Sequence, residues 1–342
     1  MRSKKSAKKN RMFHLLDMVI LMGFTVFVLL DSFVISHTLT AVDTVGEQVI
    51  AESSSGSYAY ADDSSESETD LSVSETSDID PSSEESSSGD PTTSTTQEAV
   101  VTDNSYEDEN ISIQINSYRY EDTTIYVADV KVSSAEYLKT ALAYDTYGKN
   151  VKDTTSSIAG SVGAVLAING DFYGARNSGY VLRNGVLYRN TAQSSSQEDL
   201  VIGSDGSFSI ITEGSVSAET LKSQGALQVL SFGPALIENG RISVDENDEV
   251  GKAMASNPRT AICEIEPLHY LLVVSDGRTS ESEGLSLYEL AEFLQSLGVE
   301  TAYNLDGGGS STMVFNGTII NNPTTGGRNI KERSVSDIVY VG

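Results

Sequence analysis

The chain has 342 residues with a formal net charge of −27, and it contains one cysteine and three histidines. A single cysteine excludes an internal disulfide, and the shortage of His and Cys ligands argues against a zinc site. Because the charge is strongly acidic, a nucleic-acid partner is not expected. The charged residues are unevenly distributed, and their distribution divides the chain into three regions.

The first region, residues 1–41, combines a basic tail with an apolar stretch. Its first eleven residues include six Lys or Arg side chains, and residues 15–35 are mainly apolar. Basic residues ahead of such a stretch favour a cytoplasmic N-terminus. Asp17 and Asp31 leave thirteen uninterrupted residues between them, fewer than the roughly 20 that span a bilayer, although both could lie at the membrane interfaces. We predict a transmembrane signal anchor through residues 15–35, with a cleaved secretory signal as the alternative.

Residues 42–109 form the second region, which is rich in Ser, Thr, Asp and Glu and contains no Lys or Arg. Low hydrophobicity and like-charge repulsion prevent such a chain from burying a core. The composition therefore predicts a disordered acidic tether. Together with the anchor, it predicts that the third region, residues 110–342, is an extracellular domain attached to the cell membrane by a single span.

Strand patterns dominate the first half of the third region. Apolar residues alternate with polar ones over residues 111–115 and 124–128. An Asn-Gly pair at 184–185 and an Asp-Gly pair at 205–206 are typical of tight hairpin turns. These segments predict antiparallel hairpins.

One helix is predicted together with its limits. Ser286 and Glu289 form a capping box, and Gly298 supplies the stop. The helix lies between apolar runs at 268–274 and 299–305, an order typical of a crossover between parallel strands. The predicted fold class is therefore α+β, with a mixed β-sheet core, hairpins and a few packing helices that include this strand-helix-strand crossover. The transmembrane helix and the disordered linker precede it.

Two aspartates follow the ends of the crossover strands. If the strands share a sheet, their carboxyl ends meet at one edge, so Asp276 and Asp306 emerge as neighbours. Arg259 begins a strand that returns antiparallel to the first crossover strand. Arg259 should therefore lie near Asp276 and Arg278.

A third apolar run, residues 162–168, leads into Asn-Gly-Asp at 169–171 and would add a third carboxylate if it joins the same sheet. Guanidinium groups suit phosphate oxygens, and carboxylates can act as acid, base or nucleophile at an anomeric carbon. Each residue alone also has a structural interpretation, as a turn former or a salt-bridge partner. Convergence of several such loops on one edge favours a functional site.

Five short motifs resemble, in chain order, those of the phosphodiester glycosidase family. They are Asn-Gly-Asp-Phe-Tyr at 169–173, Asn-Pro-Arg-Thr at 257–260, Ser-Asp-Gly-Arg at 275–278, Asn-Leu-Asp-Gly-Gly-Gly-Ser-Ser at 304–311 and Glu-Arg-Ser-Val at 332–335. The resemblance covers roughly residues 110–342 and implies hydrolysis of the bond between a sugar's anomeric carbon and a phosphodiester. The predicted substrate is a sugar-1-phosphodiester, in a cell-wall glycopolymer or an exopolysaccharide at the cell surface.

The matching motifs also imply the site residues. The catalytic candidates are Asp306, Asp276 and Asp171, with Asp306 or Asp276 as acid, base or nucleophile and Asp171 on a sugar hydroxyl or a cation. The substrate- or phosphate-binding candidates are Asn169, Arg259, Arg278, Gly307, Gly308, Ser310 and Arg333. No cofactor is expected to be required, but Asp and Asn oxygens suit calcium, and Asp171 is the candidate ligand for such a cation.

Two other classes of function compete with this interpretation. A serine hydrolase based on Ser310 or Ser311 needs a base, and His269 is the only histidine in residues 110–342. It lies at the start of its predicted strand, far from the end that carries Asp276. A non-catalytic surface protein that binds polysaccharide or phosphoglycan would keep the arginines and glycines but tolerate loss of a carboxylate, and it is the alternative to the enzyme.

Overall fold

The computed structural model describes residues 18, 21–31, 34–42, 99–248 and 256–342. Most of the predicted tether lies outside these ranges, as does part of the predicted membrane segment. Residues 21–31 are helical. Within the described ranges, no helix combines the length and the apolar composition that crossing a bilayer requires.

Strands and α-helices are numbered in chain order. The strands of the first part are β1 (His37–Thr38), β2 (Val100–Val101), β3 (Ser105–Glu107), β4 (Ile111–Tyr120), β5 (Thr123–Val132), β6 (Leu138–Leu142), β7 (Gly148–Lys149), β8 (Leu166–Asn169), β9 (Val181–Arg183), β10 (Val186–Arg189) and β11 (Glu198–Gly203). Those of the second part are β12 (Phe208–Thr212), β13 (Ala226–Leu230), β14 (Ala235–Glu238), β15 (Arg241–Ile242), β16 (Arg259–Glu266), β17 (His269–Ser275), β18 (Thr301–Asn304), β19 (Met313–Phe315), β20 (Thr318–Ile319) and β21 (Asp337–Val341). The α-helices of the domain are α1 (Thr155–Val162), α2 (Ala218–Ser223) and α3 (Leu287–Ser296).

Three sheets build the domain, and neighbouring strands within them are antiparallel. The largest sheet has nine strands in the order β15-β14-β18-β16-β17-β5-β4-β3-β2. Two five-stranded sheets have the orders β10-β9-β13-β11-β12 and β20-β19-β8-β21-β6. A short ladder joins β1 to β7. This sheet-rich architecture with few helices confirms the predicted α+β class.

The main core lies between the nine-stranded sheet and the two smaller sheets. Ile113 and Ile262 of the large sheet share one buried cluster with Ile168 and Leu200 of the smaller sheets. The opposite face of the large sheet, which includes Cys263, is covered by α3. Helices α1 and α2 cover the outer faces of the smaller sheets. The central strands are thus buried on both faces, which explains their nearly continuous apolar sequences.

The local turn and cap predictions are confirmed. Asn184 and Gly185, both with positive φ, join β9 to β10 in a hairpin. At the start of α3, Ser286 Oγ accepts a hydrogen bond from Glu289 N at 3.1 Å, and the Glu289 carboxylate accepts one from Ser286 N at 2.7 Å. Gly298 follows the helix with a φ of 79°. These signals depend on only a few consecutive residues, so the sequence defines them well.

The predicted crossover connects β17 through α3 to β18, but no ladder joins these two strands. Strand β16 lies between them and is antiparallel to both. Strands β17 and β18 therefore run in the same direction and end at the same edge of the sheet. The predicted shared edge is present, although β16 takes the place of a direct parallel partner.

Two details differ from the sequence expectations. Strands β2 and β3 precede residue 110 and extend the large sheet, so the sheet begins inside the segment assigned to the tether. Composition averaged over residues 42–109 hides this, because Tyr106 packs against the core from a short strand within an acidic stretch. Strand β8, which leads into Asp171, belongs to a five-stranded sheet rather than to the sheet of β17 and β18.

Candidate functional site

A cavity of ≈ 160 Å³ lies at the edge where β17 and β18 end and β16 begins. The antiparallel register opposes Arg259 to Ser275 and Ala261 to Asn304, which gathers these strand ends. The cavity is lined by Phe232, Asn257, Arg259, Arg278, Asn304, Leu305, Asp306, Gly307, Gly308 and Arg333. The predicted site residues that share this lining are Arg259, Arg278, Asp306, Gly307, Gly308 and Arg333.

Among the described residues, Asp306 is the one carboxylate that lines the cavity. Its Oδ2 accepts hydrogen bonds from Ser310 Oγ at 2.7 Å and from Arg333 Nη2 at 3.0 Å. Only 9% of the residue is exposed. Burial raises the pKa of Asp306, while Arg333, Ser310 Oγ and the backbone of Gly307 oppose the rise. A carboxyl group with a raised pKa and a fixed orientation suits proton transfer or attack on carbon.

Arg333 connects the C-terminal segment to the glycine loop. Its Nε donates to Ser310 Oγ at 2.9 Å, and its Nη2 donates to the carbonyl oxygen of Gly307 at 3.1 Å. Ser310 is fully buried, and its hydroxyl donates to Asp306 while accepting from Arg333. In this position Ser310 orients the carboxylate and does not line the cavity.

Arg278 enters the cavity from the turn after β17. Its Nη2 donates to Asn257 Oδ1 at 2.6 Å, and its Nη1 donates to Thr325 O at 2.7 Å. The φ of Arg278 is 60°, a left-handed conformation that bulky residues seldom adopt. Burial, followed by the charges of Arg333 and Arg259, lowers the pKa of Arg278. Two neighbouring guanidinium groups therefore act on it, which indicates a cavity richer in positive than in negative charge.

Arg259 is held at the first position of β16. Only 3% of the residue is exposed. Its Nε donates to the carbonyl oxygen of Leu285 at 2.7 Å, and its backbone N donates to Ser275 Oγ at 2.9 Å. The loop before α3 and the end of β17 thus fix this side chain at the cavity wall.

The glycines after Asp306 permit close packing of the loops around the cavity. Gly308 has a φ of 62°, and a Cβ there would lie 2.9 Å from Arg278 Nη2. A Cβ at Gly309 would overlap Thr325 Oγ1. The backbone N of Gly308 also donates to Pro258 O at 2.8 Å, which ties the loop to the residue before Arg259. Glycine is therefore required here by close approach and by backbone conformation.

Asp276 lies behind the cavity rather than in its lining. Its Oδ1 accepts from Asn322 N at 2.8 Å, and its Oδ2 accepts from Asn322 Nδ2 at 2.9 Å. Asn321 Nδ2 also donates to Oδ1, at 3.3 Å. Burial raises the pKa of Tyr126, and the charge and hydrogen bond of Asp276 add to the rise. Asp276 ties the segment after β20 to the end of β17, and its catalytic role stays a prediction.

Asn169 is fully buried behind Asp306. Its Nδ2 donates to the carbonyl oxygen of Asp306 at 2.6 Å. Its Oδ1 accepts from Thr260 Oγ1 at 2.8 Å and from Thr312 N at 3.3 Å. Asn169 therefore joins β8 to β16 and to the glycine loop, and a direct phosphate contact would require these bonds to break.

Asp171 lies in a separate buried ion cluster. Its Oδ2 accepts from Arg183 Nη2 at 2.8 Å and from Ser231 N at 2.8 Å. Arg183 Nε donates to Asp337 Oδ2 at 3.0 Å. Burial, followed by the charge of Asp171, raises the pKa of Asp337 to about 7. Asp171 Oδ1 accepts from Tyr173 N at 3.0 Å, so both oxygens of Asp171 already have protein donors. Across the described ranges, no three His, Cys, Asp or Glu side chains converge to hold a metal ion.

Comparison with known proteins identifies the family. A family model described as phosphodiester glycosidase matches residues 162–342, which include all five motifs. The chain belongs to the phosphodiester glycosidase family. The expectation drawn from the motifs, of membership in this family, is confirmed.

Two sequence relatives resemble this chain. The human N-acetylglucosamine-1-phosphodiester alpha-N-acetylglucosaminidase is 33% identical over 185 residues, which cover 50% of this chain and 36% of the human protein. The SPbeta prophage-derived uncharacterized protein YomE of Bacillus subtilis (strain 168) is 28% identical over 275 residues, covering 73% of this chain and 41% of YomE. This chain thus spans less than half the length of these relatives.

A solved structure shares the fold. It is the catalytic domain of zebrafish N-acetylglucosamine-1-phosphodiester alpha-N-acetylglucosaminidase, auto-inhibited by its pro-peptide. The TM-score is 0.54 at 20% sequence identity, over 68% of this chain and 82% of the zebrafish chain. At this identity, the likeness shows the fold alone.

Three polar or aromatic residues line the cavity without having been assigned a role from the sequence. Asn257 supports Arg278, and Phe232 lies with its ring centroid 5.2 Å from the guanidinium of Arg176. Asn304 donates from Nδ2 to Gly233 O at 2.8 Å, while its buried Oδ1 has no partner in the described part of the chain. Two of the three lie within the family motifs, but neutral amides have many roles in turns, so the pattern did not single them out.

The serine-hydrolase interpretation lacks its base. His269 Nε2 lies 2.8 Å from Asp129 Oδ1, at the start of β17 and hence at the opposite end of that strand from Asp276. Of the histidines that the structure describes, neither lines the cavity. Ser310 is bound to Asp306 and Arg333 instead.

Proposed function

We propose that this protein hydrolyses sugar-1-phosphodiesters by breaking the bond between the anomeric carbon and the phosphate oxygen. The names of its mammalian relatives point to N-acetylglucosamine as the sugar. The products are then the free sugar and a phosphomonoester. The observation that carries the proposal is the group of three arginines around one carboxylate in a single cavity.

The charge balance of the cavity suits the leaving group. Arg259, Arg278 and Arg333 supply three positive charges and Asp306 one negative charge, which leaves an excess of two. A phosphodiester carries one negative charge, and the phosphomonoester gains a second as the bond to carbon breaks. The excess therefore matches the charge that develops in the transition state better than the charge of the bound substrate, and such differential binding accelerates a reaction.

A phosphate leaving group also changes what the carboxylate must do. Glycosidases with alkoxide leaving groups use two carboxyl groups, one of them to protonate the departing oxygen. A phosphomonoester stabilised by guanidinium groups departs without that proton. One carboxylate, Asp306, then suffices to remove a proton from water or to attack the anomeric carbon, and Arg333 and Ser310 keep it oriented.

The sugar is assigned to the wall formed by Asn304 and Phe232. The Oδ1 of Asn304 has no partner among the described residues but is buried, so the amide must turn towards the cavity to accept a hydrogen bond from a sugar hydroxyl or amide. The ring of Phe232 offers an apolar surface beside it. The predicted membrane anchor and acidic tether support the proposal that this reaction occurs outside the cell, on a cell-surface glycopolymer or exopolysaccharide.

The decisive experiment identifies the bond that is broken. The full chain is incubated with N-acetylglucosamine-1-(2-hydroxyethyl phosphate) in ¹⁸O-labelled water, and the products are analysed by mass spectrometry. We expect labelled N-acetylglucosamine and unlabelled 2-hydroxyethyl phosphate, because water adds to carbon. Label in the phosphate would mean cleavage at phosphorus and would refute the proposal. The methyl glycoside of N-acetylglucosamine, which lacks phosphate, is the control and should remain intact.

A binding protein without catalysis is the second candidate. The ion pair of Asp306 with Arg333 at 3.0 Å is the observation in its favour, because a carboxylate already paired with a cation can serve structure alone. Binding of the diester in the same experiment, with no labelled product across a panel of sugars, would support this candidate.

A further inference from the structure

A second cation-aromatic pair lies beside the cavity without lining it. Lys152 Nζ is 6.0 Å from the centroid of the Phe172 ring, within the range of a cation–π contact. The lysine is partly buried. In the described part of the chain, no carboxylate forms an ion pair with its ammonium group. A partly buried, unpaired ammonium needs an explanation, because burying a charge is costly.

The backbone fixes Lys152 next to the segment that carries Arg333. Asp153 N donates to Val335 O at 3.0 Å, and Val335 N donates to Asp153 O at 2.7 Å. Val335 follows Arg333 by two residues. The Glu332 carboxylate accepts from Ser156 N at 3.0 Å, so contacts before and after Arg333 join its segment to the residues that directly follow Lys152. The position of the lysine is therefore set by the same segment that positions Asp306.

Phe172 is fixed by the loop on the other side of Asp306. The carbonyl oxygen of Gly170, two residues earlier, accepts a hydrogen bond from Asp306 N at 3.3 Å. Phe172 has a φ of 74°, a strained conformation for an aromatic residue, and 37% of it is exposed. Strain of this kind is concentrated at functional sites. The ring forms an exposed apolar support for the lysine.

The electrostatic environment agrees with this geometry. Burial lowers the pKa of Lys152, and the charge of Arg333 lowers it further, whereas the charge of Asp306 acts in the opposite direction. Lys152 therefore lies within electrostatic reach of the cavity. The two negative charges of the released phosphomonoester already balance the excess of two positive charges in the cavity. The charge of Lys152 is therefore available for a further anionic group.

We propose that Lys152 and Phe172 form a subsite for a second anionic group of the substrate, a phosphate or a carboxylate on the alcohol side of the cleaved phosphodiester. The inference rests on the proposed function and deepens it. The substrate class becomes a sugar-1-phosphodiester whose alcohol is itself charged, as it is in a polymer of repeated phosphodiesters or of acidic sugars. The ammonium binds the second group, and the Phe172 ring keeps the lysine stem in place.

Three substrates and four proteins test the subsite. The substrates are N-acetylglucosamine-1-phosphodiesters of 2-hydroxyethyl, 2-carboxyethyl and 2-phosphoethyl groups, which share the cleaved bond and differ in the second charge. The proteins are the full chain, Lys152→Met, Lys152→Arg and Lys131→Met. Lys131 is an exposed lysine that lies opposite His269 on β5, at the far end of the large sheet. The readout is the ratio of kcat/KM for each anionic substrate to kcat/KM for the neutral one.

The unaltered protein is expected to prefer the anionic substrates by about three- to tenfold, in the range of a partly buried charge pair. The preference should disappear in Lys152→Met through a higher KM, persist in Lys152→Arg and persist in Lys131→Met. Preference for phosphate alone would assign the subsite to polyphosphodiesters, and preference for carboxylate alone to acidic sugars. Equal ratios in Lys152→Met and the unaltered protein would refute the subsite. Failure of every substrate with the unaltered protein would refute the proposed function instead.

Discussion

Two strands of this domain lead into similar sequences, Asn-x-Asp, but the two aspartates lie in different surroundings. Strand β8 leads into Asn-Gly-Asp at 169–171, and β18 leads into Asn-Leu-Asp at 304–306. Asp171 ends in a closed cluster with Arg183 and Asp337, where one cation serves two carboxylates. Asp306 ends at a cavity where three arginines surround one carboxylate.

Two properties therefore distinguish the structural cluster from the candidate catalytic one. They are the ratio of cations to carboxylates and the access of the carboxylate to a cavity. Asp171 is fully buried, and its carboxylate oxygens bind protein donors. Asp306, in contrast, lines the cavity of ≈ 160 Å³. The clusters should therefore respond differently to mutation, one in stability and the other in turnover.

The largest effect is expected from a comparison of Asp306→Asn with Asp171→Asn. Loss of the acid, base or nucleophile at Asp306 should lower kcat by about 10²–10⁴-fold while the protein stays folded. Asp171→Asn should lower the free energy of unfolding and retain measurable turnover. Release of N-acetylglucosamine and thermal unfolding are measured on both variants. Equal loss of turnover with unchanged stability in Asp171→Asn would overturn the contrast.

Arg183→Met should give the largest loss of stability. It leaves Asp171 and Asp337 buried without a cation, and breaking such a pair costs about 3–5 kcal/mol. Urea unfolding at neutral pH measures the change. Arg119→Met is the control, because the ion pair of Arg119 with Asp122 is exposed and should contribute less than about 1 kcal/mol.

The contribution of Asp337 to stability should be measurable from the pH dependence of the unfolding free energy. Its folded pKa, about 7, lies above its ordinary value, so the folded state binds the proton more tightly than the unfolded state. The contribution of Asp337 to stability is thus full below the ordinary carboxyl pKa and is lost as pH rises towards 7. Compared with Asp337→Asn, the unaltered protein should lose unfolding free energy between about pH 4 and 7. Parallel pH curves for the two proteins would contradict this assignment.

A smaller and more specific effect is expected from Arg333→Met. Arg333 opposes the burial that raises the pKa of Asp306, so its removal should raise that pKa further. If the ionised carboxylate is required, the acid limb of the kcat/KM profile moves to higher pH. Arg328→Met, on an exposed residue of the same segment, should leave the profile unchanged. If the acid limb shifts in Arg328→Met, or does not shift in Arg333→Met, the assignment of this pKa effect to Arg333 is wrong.

The smallest effect should come from Gly308→Ala. An alanine must adopt a φ of 62° and displace Arg278, which should cost about 1 kcal/mol and raise KM. Gly326→Ala is the matched control, because a Cβ there meets nothing within 4 Å. Unaltered KM in Gly308→Ala would mean that the glycine loop does not position the arginine.

Much of the fold and part of the site were accessible from the sequence. The capping box at Ser286, the Asn184 hairpin and the strand that begins at Arg259 were predictable because each depends on a few consecutive residues. The grouping of Asp306 with Arg259 and Arg278 followed from strand directions alone. The position of β16 between β17 and β18 did not change this grouping, since the three strand ends remain at one edge.

The α+β class, the family and the arginines at one edge of the sheet can be read from the sequence, because local periodicity and motif order encode them. That Asp171 joins Arg183 and Asp337 while Asp306 faces the cavity is a result of tertiary contacts. Arg183 reaches Asp171 and Asp337 from another sheet, and Arg333 reaches Asp306 from the C-terminal segment. Contacts between segments so distant in the chain leave no local pattern, so the similar strand endings carry no information about which aspartate is enclosed by protein donors.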